Sequence, residues 1–184
     1  MAMMVNMAVK TPAESPRTAS PLFLREPEIR RGIELMILGY NHLTHSIDDI
    51  LANAKLGRAH HRALYFIARR PGLTVGGLLA LLQVTKQSLG RVLTELGERG
   101  LVETRPGVQD RRQKLLYLTD KGKDLECRLF EVLREHLSGA YSEAGQGAVG
   151  GFWAVLEGLV PEDHRESIAG LDHEIPVQGK RASG

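Results

Sequence analysis

Apolar side chains return every three or four residues along most of this chain, which predicts helices. From Glu28 to Leu51 the apolar positions are Ile33, Ile37, Tyr40, Leu43/Thr44, Ile47 and Leu51. Leu35, Met36 and Leu38 widen that stripe. A stripe so broad predicts one helix covered on more than one side, as in an intertwined dimer. A second helix is predicted from Arg58 to Arg70, on Leu64, Ile67 and Ala68, ended by Pro71-Gly72. Asp124 to Leu137 repeats the period with Leu125, Leu129, Val132, Leu133 and Leu137. The last helix, Val149 to Leu159, carries Phe152, Val155, Leu156 and Leu159 and stops before Pro161.

The middle of the chain has a shorter rhythm. Thr74 is placed to cap a helix from Val75 to Leu82 that turns Leu78, Leu81 and Leu82 inward. After the tight connector Gln83-Val84, Thr85 caps a helix from Lys86 to Glu98, buried through Leu89, Val92, Leu93 and Leu96 and stopped at Gly100. Leu101–Arg105 and Lys114–Leu118 then read as two short strands around the polar loop 106–112. Two helices about a short turn, followed by an arginine-tipped hairpin, give a mainly α chain. Its architecture is a winged helix-turn-helix with a two-strand wing and a helical dimerisation region.

Both ends lie outside these patterns. Residues 1–24 hold Pro12, Pro16 and Pro21 among serines and threonines and read as a disordered leader; 161–184 read as a tail. The body, 25–160, divides into a core at 58–123 flanked by helices at 28–52 and 124–160.

Composition narrows the chemistry. The chain has 184 residues, a net charge of +2 and one cysteine, which excludes a disulfide framework or a cysteine-rich zinc site. No apolar run approaches the roughly 18 residues of a membrane helix. Nor does the first segment show the basic-then-apolar order of a signal peptide. A cytoplasmic protein without membrane contact is expected. The charge is uneven: 10 basic and 6 acidic residues in 1–84, 9 and 5 in 85–123, 5 and 11 in 124–184. The basic middle suits a polyanion.

The outward face of Lys86–Glu98 carries Gln87, Arg91 and Thr94, with Lys86 and Ser88 beside Thr85 at its start. Gln can pair with the major-groove edge of adenine and Arg with that of guanine, each worth ~1–3 kcal/mol of discrimination. Hydroxyls and amides at a helix N-terminus suit phosphates. Arg111 and Arg112 at the hairpin tip suit a minor groove, which attracts arginine. Asp110 would repel phosphate, so its expected work is structural, accepting bonds from loop amides or a neighbouring arginine.

The run Asp110-Arg111-Arg112 followed by Leu118-Thr119-Asp120-Lys121-Gly122 resembles the wing signature D-x-R-x(5)-L-T-x-x-G of the MarR family of transcriptional regulators. Thr85–Leu93, with Leu96 and Gly100-Leu101-Val102, resembles that family's recognition helix. Leu24–Leu35 and Gly57–Arg62 further resemble its PetP-type branch. The resemblance covers about residues 28–160. It implies a homodimer, interlocked through its first and last helices, that binds double-stranded DNA at a pseudo-palindromic operator as a ligand-responsive repressor. It also implies a small-molecule effector pocket near Tyr40, His42 and His61. Two departures stand out. Gly90 replaces a Ser or Asn before the arginine, and Gly76 and Gly77 weaken the supporting helix by about 1 kcal/mol each.

Other signals point elsewhere and are set aside. Gly145–Gly150 spells G-x-G-x-x-G, but no strand precedes it, so it reads as the joint between two helices. His42 with His45, and His60-His61, form no H-E-x-x-H and have no cysteine partners, so no metal or cofactor is expected. Cys127 stands among Asp124, Glu126 and Arg128, a setting that does not favour the thiolate of a redox sensor. There is no G-x-S-x-G, phosphate loop or paired-carboxylate motif, so no enzyme is expected. The alternatives carried forward are a redox- or haem-sensing regulator and a winged-helix interaction module that has lost DNA binding.

Overall fold

The computed structural model describes residues 21–107, 110–162 and 164–165. The leader up to residue 20, the tail beyond residue 165 and the loop residues 108–109 lie outside it. After a 3-10 turn at Pro21–Leu24 come α1 (Glu26–His45), α2 (Asp48–Asn53), α3 (Arg58–Arg69), β1 (Leu73–Thr74), α4 (Val75–Leu82) and α5 (Lys86–Glu98). The wing strands β2 (Val102–Pro106) and β3 (Lys114–Leu118) follow, then α6 (Asp120–Ala144) and α7 (Gln146–Leu159). The chain divides into two units, residues 1–40 and 41–184, with the division inside α1.

Within the second unit, α2, α3, α4, α5, the sheet and the first half of α6 close over one core. Ile47, Leu51, Leu64, Ile67, Leu78, Leu89, Leu96, Leu116 and Leu129 are fully buried there. Sequence periodicity identifies most of this set, and Thr74 and Thr85 both cap as expected. The Thr74 hydroxyl accepts the Gly77 N–H at 3.0 Å and the Thr85 hydroxyl accepts the Ser88 N–H at 3.2 Å.

Several boundaries differ from the sequence reading. The first helix breaks at Ser46-Ile47 and does not run on to Leu51. Near its end, Thr44 and Ser46 donate their hydroxyls back to the carbonyls of Asn41 and Leu43, and His45 Nδ1 bonds the Asn41 carbonyl. Such local bonds compete with helix continuation. The restart is held by Asp48, which accepts two bonds from the Arg58 guanidinium at 3.0 and 2.7 Å. That bond holds the Asp48 carboxyl below its ordinary pKa.

The wing sheet has three strands, not two. β1 pairs with β3 through Leu73↔Leu116 and Thr74↔Leu115, giving the order β1-β3-β2. Two residues are too few for a period-two signal, so β1 was invisible to patterning. β2 starts one residue later than expected and pairs antiparallel with β3, from Val102↔Leu118 to Pro106↔Lys114.

The sixth helix begins at Asp120, earlier than Asp124, and runs to Ala144. Thr119 is its cap, accepting the Gly122 N–H at 3.1 Å. The seventh begins at Gln146, earlier than Val149, directly after Gly145, whose φ of 81° makes the joint. Across that joint Trp153 Nε1 donates to the Tyr141 hydroxyl at 2.9 Å, and Phe152 meets the Tyr141 ring edge-on.

Candidate nucleic-acid interface

Helix α5 is amphipathic for a simple reason. Leu89 and Leu96 are buried, Val92 and Leu93 half-buried, and the other face is open. Thr85, Lys86, Gln87, Ser88, Arg91 and Thr94 are all exposed on or beside that face. Thr85 is occupied by capping: its hydroxyl also donates to Ser88 Oγ at 2.9 Å. The Ser88 hydroxyl therefore keeps its own proton to donate outward. Lys86, Gln87 and Arg91 make no hydrogen bond or ion pair among the described residues. At Gly90 an added Cβ would meet nothing within 4 Å, so the face is flat at that point.

The wing tip is organised by backbone and by Asp110. The Gly107 N–H donates to the Gln113 carbonyl and the Gln113 N–H to the Asp110 carbonyl, both at 3.0 Å. The Asp110 carboxylate accepts the Arg112 N–H at 2.9 Å. A Cβ on Gly107 would lie 2.6 Å from the Asp110 carbonyl oxygen, so only glycine fits that fold of the tip. Arg111 and Arg112 are exposed, as is Lys114 at the start of β3. On the outer wing strand, Arg105 pairs with Glu103 and lies 4.5 Å above the centre of the Tyr117 ring. Glu103 stands two residues before Arg105 on the same face of the same strand, whereas the Tyr117 contact had no sequence signal, because it depends on strand register.

Several residues that the sequence offered for other roles act as supports. His60 Nδ1 accepts the Gly57 N–H at 3.0 Å, capping α3, and His60 Nε2 lies 2.9 Å from the Glu95 carboxylate on α5. Because Nδ1 accepts, the ring proton belongs on Nε2, where it is donated to Glu95. Thr119 Oγ1 donates to the Gly100 carbonyl at 2.6 Å, Lys121 Nζ to the Arg99 carbonyl at 2.9 Å and Arg99 Nη1 to the Ala54 carbonyl at 3.1 Å. At Gly122 an added Cβ would lie 2.0 Å from the Leu101 carbonyl oxygen. The L-T-x-x-G run is thus a helix cap pressed against the backbone just past the end of α5.

The remaining candidates separate. His61 is half-buried, and desolvation, helped by Arg62, holds its pKa below the ordinary value. His42 is exposed and meets His136 edge-on with centroids 5.9 Å apart. Tyr40 is exposed on the part of α1 that belongs to the first unit. Cys127 is exposed on α6. Among the described residues no group of three potential ligands is arranged for a metal ion, and no helix is long and apolar enough to cross a membrane.

Comparison with known proteins agrees with this geometry. The sequence model of the MarR family matches residues 55–113. The HTH-type transcriptional regulator PetP of Rhodobacter capsulatus is 50% identical over 139 residues, which is 76% of this chain and 84% of that protein. A mutant of MarR from E. coli, solved in complex with operator DNA, superposes with a TM-score of 0.59 at 22% identity, covering 77% of this chain and 100% of that one. NadR, solved with 4-hydroxyphenylacetate, superposes with a TM-score of 0.61 at 22% identity, covering 81% and 97%. With half of the 139 aligned residues shared with one such regulator, over most of both chains, this protein belongs to the MarR family of transcriptional regulators.

Proposed function

We propose that the chain works as a homodimeric, sequence-specific DNA-binding repressor whose affinity for a pseudo-palindromic operator responds to a small molecule. The observation that carries DNA binding is the open face of α5, where Lys86, Gln87 and Arg91 stand exposed and unpaired while the opposite face is locked into the core. Gln87 and Arg91 read base edges in the major groove; Lys86, Ser88 and the Thr85-capped amides hold phosphate. Arg112 enters the minor groove and Arg111 lies nearer the backbone, with Asp110 holding the tip in shape. The structural likeness to a MarR protein crystallised with operator DNA supports the docking mode.

Dimer formation is supported by apolar surface that a single chain leaves open. Ile33, Leu35 and Ile37 on α1 and Phe152, Trp153 and Val155 on α7 are all more than two-fifths exposed. Exposed apolar surface on this scale marks an interaction site. Effector response is supported by the likeness to NadR with its aromatic ligand and by the half-buried imidazole of His61. His42 and His61, within the second unit, are the effector-side residues of this reading. No catalytic step is proposed.

The test is binding of the purified protein to DNA from its own upstream region, with Gln87→Ala and Arg91→Ala beside the parent. Each variant is expected to lose about 1–3 kcal/mol of specific affinity and to relax preference at one operator position. Unchanged affinity in both removes Gln87 and Arg91 as base-reading residues, and no specific binding by the parent removes the reading and leaves the interaction-module alternative.

A further inference from the structure

A cleft of about 720 Å³ opens where the ends of α2 and α5 meet the start of α6. It lies at the far end of α5 from Gln87, about 15 Å along the helix. Its apolar lining is Leu101 and Leu125, both buried. Around them stand three cations, Arg99, Lys121 and Arg128, and two carboxylates, Glu98 and Asp124. Glu98, Asp124 and Arg128 join no ion pair among the described residues. Arg99 and Lys121 each spend one donor on a backbone carbonyl. A guanidinium has five donors and an ammonium three, so both keep others for a ligand.

This lining discriminates by charge. A simple anion is drawn by the arginines and repelled by Glu98 and Asp124; a simple cation meets the reverse. An uncharged apolar molecule leaves every charge unmatched. A small molecule bearing both charges on a hydrocarbon body satisfies all three parts of the lining. We propose that this cleft is a binding site for a zwitterion of the α-amino-acid class. Its carboxylate lies on the guanidinium donors of Arg99 and Arg128, its ammonium on Glu98 or Asp124, and its apolar side chain on Leu101 and Leu125.

The site also has a route to DNA affinity. The cleft holds two of the contacts that seat the end of α5, Lys121 on the Arg99 carbonyl and Arg99 on the Ala54 carbonyl. A carboxylate that recruits either cation competes with those carbonyls and changes the seat of the recognition helix. A ligand acts on DNA only through its differential affinity for the two arrangements, and coupling of this kind typically spans about 5–150-fold. This second step rests on the DNA-binding reading above; ligand binding itself does not.

The experiment is isothermal titration of the full chain with L-leucine, with 4-methylpentanoate, which lacks the ammonium, and with 3-methylbutylamine, which lacks the carboxylate. Operator affinity is measured in parallel with and without leucine. Leucine is expected to bind once per chain, at least tenfold more tightly than either one-ended analogue. Arg128→Gln and Glu98→Gln are each expected to weaken it at least tenfold while thermal unfolding and ligand-free DNA affinity stay at the parent values. Absence of leucine binding at millimolar concentration overturns the site. So does equal binding of 4-methylpentanoate, or full retention of binding in Arg128→Gln. Variant-sensitive leucine binding by a chain that binds no operator would keep the site and remove the DNA reading instead.

Discussion

A methyl group on Gly122 would sit 2.0 Å from the Leu101 carbonyl oxygen, so at this position the absence of a side chain is itself the function. Gly122→Ala is expected to lower stability by about 2–4 kcal/mol, because the first turn of α6 must move off the end of α5. Urea denaturation checks it, and a loss under 1 kcal/mol would show that the turn relaxes freely. His60 supports two elements at once, and His60→Ala is expected to cost about 1–2 kcal/mol through the lost cap and the lost bond to Glu95. Two half-buried groups on α3 and α6 set a pH dependence. Burial raises the Glu126 pKa above 4.5, with Arg69 opposing, so the folded chain holds that proton more tightly than the unfolded one. Its contribution is therefore lost as pH rises above 4.5, and Glu126→Gln should raise the thermal midpoint at neutral pH but not at more acidic pH. His61 works in the opposite direction. Its pKa is lowered from 6.5, so the unfolded chain takes the proton first and stability falls as pH drops below 6.5. His61→Gln should flatten that acid-side loss in melting curves recorded across the same range.

At the scale of elements, the recognition helix and the wing fail in different ways when altered. Arg112→Ala is expected to weaken operator binding and to shallow the salt dependence, since each neutralised phosphate contributes about −0.9 to the slope of log K against log salt. Asp110→Ala is expected to weaken binding even though it removes a negative charge, because its carboxylate holds the Arg112 N–H and shapes the tip. Affinity at two salt concentrations decides the sign: tighter binding by Asp110→Ala would make the residue a bystander and remove the wing assignment. Both wing residues were readable from their motif, and the third strand was not. β1 exists because Leu73 and Thr74 are brought beside Leu116 and Leu115 after the turn at Gly72, whose φ is 83°. The break between α1 and α2 was hidden for a similar reason. Apolar spacing continues through Ile47 to Leu51, and only the back-bonding of Thr44 and Ser46, with the Asp48–Arg58 bridge, shows that the backbone turns there.

For the whole molecule, the proposed homodimer would cover the open apolar faces of α1 and α7, and on that proposal sedimentation at micromolar concentration is expected to show a dimer. Trp153→Asp together with Ile33→Asp should shift it toward monomer and reduce operator binding, since one winged unit alone contacts only a half-site. A stable monomer in the parent would end the dimeric reading. The sequence by itself determined the helical class, the two helices about a tight turn, the caps at Thr74 and Thr85, most of the buried leucines and the polar face of α5. Each of these rests on neighbours a few residues apart, where periodicity and capping chemistry operate directly. The tertiary structure alone decided the third strand and the stacking of Arg105 on Tyr117. It also decided the bond from His60 to Glu95, 35 residues away, and the press of Gly122 against Leu101. Those depend on which distant segments the core draws together, and burial of apolar surface, being non-directional, leaves no mark of its final partners in the local pattern.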